Sequence, residues 1–399
     1  MKLLLTTNGR LYKNPQGEYY TPIVYGYSFF KRYFDVFEQI RLVAHVTPVS
    51  NDKTEGMLRV DGENLEVFEV INPVGKIQYI KYYGRIKKQV KKCYEGCDVA
   101  ILRVPDQLAF QVFSAIRGCI PCGIEVTSNS WELYGPGCSN SPLRPIIRRI
   151  WDVEQKRVCK FADASSYVTH YTLQKRYPPK PGTFTTYYSN ADPGIYKGCV
   201  YRDYGLEKLS SIKLLHVSGF LRGRVKGHKE LIEAAALLKK DGFDVECILV
   251  GAGDLDPDIQ LVVENNDLSV RKTGRLTPEQ IKTEMLSSDF FVFPSYREGL
   301  PRVVVEAMAS GIMCVGSAID GNKELLSESV LVPKQDSISL YKLIKHYAEN
   351  PQQMTSQSIR NIQESANYSA EQLSERRREF YGKLYQMAKS NQNKDLNES

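Results

Sequence analysis

A chain of 399 residues, 42% hydrophobic and 25% charged, is long enough for two hydrophobic cores and has ordinary globular composition. No apolar run approaches the roughly 18 to 20 residues needed to span a bilayer, and residues 1–5 are too short for a signal-peptide core, so a cytosolic protein is expected. The net charge of +7 is lopsided: residues 1–197 carry 27 Lys and Arg against 18 Asp and Glu, a surplus of +9, and the remainder carries −2. Such asymmetry points to an anionic partner, and with no zinc finger, RNP motif or helix-turn-helix pattern nucleic acid is not expected. A peripheral position on the acidic inner face of a membrane fits better. Nine cysteines without paired spacing argue for reduced thiols, the spacing of Cys119 and Cys122 included.

In chain order, residues 1–6 read as a first strand, followed by a loop holding Asn8, Gly9 and Arg10, in which Gly9 lets backbone approach a ligand. Residues 28–40, with Phe29, Phe30, Tyr33, Phe34 and Phe37 at helical intervals, predict a helix, and residues 42–46 the next strand. A parallel α/β start of this kind binds ligands at the carboxyl ends of its strands. Residues 76–92 combine Ile77, Tyr79, Ile80, Tyr83, Ile86 and Val90 with seven cations and no acid. That pattern fits either an amphipathic surface helix with solvated lysines or one lying against anionic lipid. Strand, helix and strand follow at 99–104, 109–117 and 121–126, and the last runs into a loop containing Glu125, Asn129, Trp131 and Glu132. A helix carrying Arg144, Arg148 and Arg149 comes next, then a short strand and helix ending near Pro178.

Periodicity is lost between residues 188 and 211, which reads as an interdomain linker. A new strand at 212–217 leads into Gly219-Phe220-Leu221-Arg222-Gly223-Arg224-Val225-Lys226-Gly227-His228 and a helix over 230–239. A glycine turn with Arg222, Arg224 and Lys226 before a helix start forms a plausible diphosphate clamp. The strand at 245–250 ends in Gly251-Ala252-Gly253, too weak for a dinucleotide fingerprint because the third glycine is absent. Gly274-Arg275 follows a further strand.

The apolar run 290–293 then opens Pro294-Ser295-Tyr296-Arg297-Glu298-Gly299-Leu300-Pro301, and a helix runs to Gly311. Every neighbour of Glu306 in that helix is apolar or small, so its carboxylate needs a partner or a ligand. Glu298 precedes the helix N-terminus, where amides and dipole favour an anion. Two carboxylates flanking a phosphate site suit a nucleotide sugar. Helices over 337–347 and 370–388 close the chain.

This segment resembles the retaining nucleotide-sugar glycosyltransferases of the large family 4 with the GT-B fold, on the stretch from Pro294 to Gly311 and the glycine turn before Glu324-Leu325. The resemblance implies two facing Rossmann-like, doubly wound α/β domains: an acceptor-binding domain over residues 1–200 and a nucleotide-sugar-binding domain over 201–370. A helix over 371–390 would return to the first domain, and 391–399 would be a frayed tail. It also implies that Glu298 contacts the transferred sugar, Glu306 the nucleotide ribose, Lys226 the diphosphate, and Gly274-Arg275 the region of the base, with Gly219, Gly299, Leu300 and Pro301 completing the donor site. Gly9, Glu125, Asn129 and Trp131 fall on the acceptor side. Where the resemblance expects an arginine after Gly219 the chain has Phe220, so either Arg222 or Arg224 supplies the charge or the donor phosphates are held less tightly than usual. The implied reaction moves a sugar from a UDP- or GDP-sugar to a hydroxyl of a glycan or lipid-linked acceptor in cell-surface polysaccharide synthesis, with no cofactor and no metal. A non-catalytic scaffold subunit of a polysaccharide-synthesising complex is the alternative.

Overall fold

The computed structural model describes residues 1–138 and 141–398. Runs such as Val99–Val104 and Phe290–Phe293 are buried at every position, as strands covered on both faces of a parallel sheet must be. They build two sheets. The first runs Phe184–Tyr187, Ala164–Tyr167, Cys122–Val126, Val99–Val104, Lys2–Thr6, Gln39–Pro48, with every neighbouring pair parallel and Leu65–Ile71 on the far flank of Gln39–Pro48. Three short strands, Leu11–Lys13, Tyr19–Thr21 and Leu58–Arg59, extend one corner. The second runs Ser269–Gly274, Asp244–Ala252, Ser211–Phe220, Phe290–Phe293, Met313–Ser317, Leu331–Val332, all parallel.

Each sheet has one place where the chain, having wound outward, crosses back to the other side. In the first it lies between Lys2–Thr6 and Val99–Val104, in the second between Ser211–Phe220 and Phe290–Phe293. Loops leaving the carboxyl ends of such neighbouring strands diverge and leave a crevice, the usual ligand site of open α/β sheets.

The chain passes from one sheet to the other between Tyr187 and Ser211 and returns in the helix Ala370–Glu398. Phe380, Tyr381 and Leu384 of that helix are wholly buried against the first sheet. A side chain on Gly123 would meet Leu384 at 2.4 Å, so the helix sits on the strand through a missing Cβ. It runs on to Glu398 where the sequence suggests a frayed tail from 391.

The helix expected over 28–40 is a correction. Only Tyr27–Phe30 is α-helical, followed by a 3-10 turn at Lys31–Tyr33. The amide of Glu38 donates to Met1 and Gln39 is already paired with Lys2, so the first parallel strand pair takes the end of the predicted helix. The aromatic spacing serves burial instead: Tyr33 stacks on Tyr381 at 4.8 Å and Phe37 lies 6.1 Å from the same ring. A helix over Pro351–Ser365 and the strand Leu65–Ile71 have no counterpart in the sequence reading. All nine cysteines are free thiols.

Candidate active site

The loops following the two switch-point strands of the second sheet are stitched together. The amide of Tyr296 and the hydroxyl of Ser295 both donate to the carbonyl of Val225, at 2.8 and 3.0 Å. Gly227 has φ +78°, and a Cβ there would stand 2.2 Å from the carbonyl oxygen of Pro294, so only glycine allows the approach. The result places the Lys226 ammonium 2.5 Å from Glu298 Oε1, with both side chains partly exposed, at 38% and 23%. Ser128, Asn129, Glu132 and Leu133 of the first domain close a cavity of about 270 Å³ over this pair, together with Arg297 and Gly299.

Gly299 is where the domains come closest. A Cβ on it would lie 1.9 Å from the carbonyl oxygen of Thr127. Half-buried Leu300 packs on the core, and Pro301 starts the helix Arg302–Ala309 with no side-chain cap on its amides, which leaves the positive end of that helix available to an anion. Glu306, one turn further on, has no hydrogen-bond or ion-pair partner among the described residues. Burial raises its pKa to about 7, with Arg302 opposing and Asp192 reinforcing the rise. A half-buried carboxylate without donors is what a ligand diol would satisfy.

Gly219 faces open space. Arg222 is 78% exposed and 3.8 Å from Asp256, and Arg224 is hydrogen-bonded to Asp258, so acids of the neighbouring loop engage both. Gly274 turns the chain at φ +74° and Arg275 extends over the Phe220 ring. Beneath the glycine-turn loop, His216 donates Nδ1–H to the carbonyl of Val292 at 2.8 Å and its ring lies 4.7 Å from His228, which meets Ser218 at 3.2 Å. Burial holds both neutral, lowering His228 to about 4 and His216 well below the ordinary imidazole range. These histidines are packing under the glycine-turn loop, which the sequence reading did not bring out.

On the first-domain side Gly9 is buried and its amide donates to Thr7 at 3.1 Å, with Asn8 and Arg10 exposed beside it at the switch point. Asn129 lies in the cavity wall with its polar atoms committed. Its Oδ1 caps the helix Ser130–Leu133 and accepts from Tyr177, and its Nδ2 donates to Asp320 of the second domain at 2.6 Å. The guanidinium groups of Arg148 and Arg176 lie 3.8 and 4.6 Å from the Trp131 ring centroid, and Trp131 lines a larger interdomain groove.

Glu125 is a correction. It is 3% exposed, bonded to Arg103, and accepts from Tyr33, Tyr188 and Tyr381. Its oxygens are fully engaged in holding the return helix, leaving none for an acceptor. Two residues absent from the sequence-derived site belong to it by position: Arg297, whose signal was its place beside Glu298, and Asp320, which no local pattern marked.

Residues 211–350 match the family described as Glycosyl transferases group 1. Protein CapJ of Staphylococcus aureus is 24% identical over 361 residues, covering 89% of this chain and 88% of CapJ. The amylovoran biosynthesis glycosyltransferase AmsK of Erwinia amylovora is 32% identical over 130 residues, 30% of this chain and 32% of its own length. HepE from Anabaena, solved with UDP and glucose, superposes over 95% of this chain and 98% of its own with a TM-score of 0.61 at 16% identity, a likeness of fold. With paired parallel domains, a loop cluster at both switch points and this match over residues 211–350, the second domain is similar to the group 1 glycosyl transferases and the chain is a glycosyltransferase of the GT-B fold.

Proposed function

We propose that the protein transfers a sugar from a UDP- or GDP-sugar to a hydroxyl of a glycan or lipid-linked acceptor during bacterial surface-polysaccharide synthesis, with retention at the anomeric carbon. The observation that carries this reading is the Lys226–Glu298 pair at the mouth of an uncapped helix, with donor-free Glu306 one turn on. Diphosphate sits at the helix start beside Lys226, the ribose diol donates to Glu306, and sugar hydroxyls donate to Glu298. As the bond from C1 to the phosphate oxygen breaks, Lys226 and the helix amides stabilise the departing charge. The acceptor oxygen bonds to C1 on the same face, and its proton passes to the leaving phosphate oxygen, so no enzymic base is required. Positive charge from the chain itself serves where a metal otherwise would.

AmsK, named a glycosyltransferase, supports the reaction class, and the HepE complex with UDP and glucose supports the donor class. A membrane-bound acceptor is supported by the first domain's surface. On the helix Gly75–Val90, Ile77 is 85% and Ile80 78% exposed, and on Arg144–Phe161 Ile146, Ile150 and Val153 are exposed too. Exposed lysines and arginines flank these rows. No helix of the described residues is long and apolar enough to cross a membrane.

Phe220, where the resemblance expects arginine, favours the second reading, a donor-binding scaffold without turnover. Incubation with UDP- and GDP-sugars and measurement of free nucleotide separates the two. A transferase releases nucleotide slowly by hydrolysis and faster with acceptor, and NMR of the product reports the retained anomer. A scaffold binds without release.

A further inference from the structure

We infer that Arg275, carried on the face of Phe220, supplies the donor-phosphate cation that the resemblance expects at position 220. The inference rests on the reading that this cleft takes a nucleoside diphosphate, and it assigns a residue within it.

Phe220 ends the central strand Ser211–Phe220 and is 61% exposed, a large apolar ring left in solvent at the switch point. Arg275 belongs to the loop after Ser269–Gly274, two strands away. The strand between them ends in Gly251-Ala252-Gly253, whose largest side chain is a methyl, so nothing blocks a long side chain from crossing. Gly274, at φ +74°, turns the chain there, and the guanidinium carbon of Arg275 comes to 5.2 Å from the Phe220 ring centroid. Among the described residues Arg275 has no ion-pair or hydrogen-bond partner. Arg222 and Arg224, the cations nearer in sequence, face Asp256 and Asp258. Arg275 is therefore the arginine around this glycine turn whose charge is not already met by a carboxylate. An aromatic face holds a guanidinium by its plane and leaves the edge N–H groups free. Those donors match phosphate oxygens in a bidentate fork. The ring and the cation thus do in two residues what one arginine at 220 would do.

The test is calorimetric titration of the full chain with UDP, GDP, uridine and guanosine, in wild type, Arg275→Ala, Phe220→Leu and the double change Phe220→Arg with Arg275→Ala. Arg275→Ala should weaken the preferred diphosphate about tenfold or more and flatten its salt dependence while leaving the nucleoside within about twofold. Phe220→Leu should fall between, and the double variant should recover most of the loss. Both side chains are exposed, so the melting temperature should not move. Equal losses for nucleoside and diphosphate would make the pair a stacking surface for the base and overturn the inference, as would unchanged affinity for both. If wild type binds neither UDP nor GDP, Lys226→Ala and Glu306→Gln will also be silent, and the nucleotide reading fails with the inference. If only Arg275→Ala is silent, the inference alone fails.

Discussion

At the scale of single residues, Glu306 is where pH acts. Its carboxyl titrates near 7 in the fold against an ordinary 4.5, so the folded protein holds the proton more tightly than the unfolded chain. The protonated form therefore stabilises the fold below about pH 4.5, and that contribution is lost as pH rises through about 7. A bound ribose reverses the preference, because hydroxyls donate best to the anion. Donor affinity should fall as pH drops from about 8 to 6. Glu306→Gln should weaken the diphosphate donor about tenfold or more, from loss of a charge-assisted bond worth roughly 1.5 to 3 kcal/mol, and should abolish that pH slope in calorimetry. An unchanged affinity and slope would make Glu306 a structural acid. Glu125 gives the opposite expectation. Glu125→Ala leaves Arg103 buried without a counter-charge, which costs roughly 3 to 5 kcal/mol and should show as a large drop in denaturant midpoint. Retained stability would contradict the buried hub. Glu306 was legible because its apolar helix neighbours are adjacent in sequence. Glu125 was not, because Tyr381, one of its partners, is 256 residues away.

Among the elements, the glycine-turn loop and the helix Arg302–Ala309 could be read from sequence because turn glycines, the proline at the helix start and periodicity are local. The aromatic stretch at 28–40 misled because helical spacing also suits a short turn packed on a distant helix, and the strand pairing that shortens it is non-local. The helix Gly75–Val90 was legible as amphipathic, but the partner row on Arg144–Phe161 emerged only from the fold. If these two helices rest on lipid, replacing Lys81, Arg85 and Lys88 with Glu should release the protein from phosphatidylglycerol vesicles, each cation having contributed about 1 kcal/mol near such a surface. Sedimentation should also decline with salt and be absent with neutral phosphatidylcholine. Binding indifferent to lipid charge would point to a soluble acceptor.

For the whole molecule, chemistry requires the two crevices to face each other. Several contacts hold that arrangement: Asn129 with Asp320 at 2.6 Å, Lys334 with Glu132 at 2.6 Å, and Glu324 accepting from the amides of His170, Tyr171 and Thr172. None was visible in the sequence, since each joins residues more than 150 apart. Gly299→Ala places a methyl 1.9 Å from the Thr127 oxygen, so the domains must part. Small-angle scattering should show a larger radius, with transfer lost, whereas full transfer would mean the contact is dispensable. The most direct test of the account is release of nucleotide from UDP- and GDP-sugars by wild type and Lys226→Ala side by side. Wild type should release nucleotide steadily from one donor class, and with one preorganised cation removed from the developing diphosphate the rate should fall by about a hundredfold or more. Equal release by the two proteins, or none from any donor by wild type, would contradict the account.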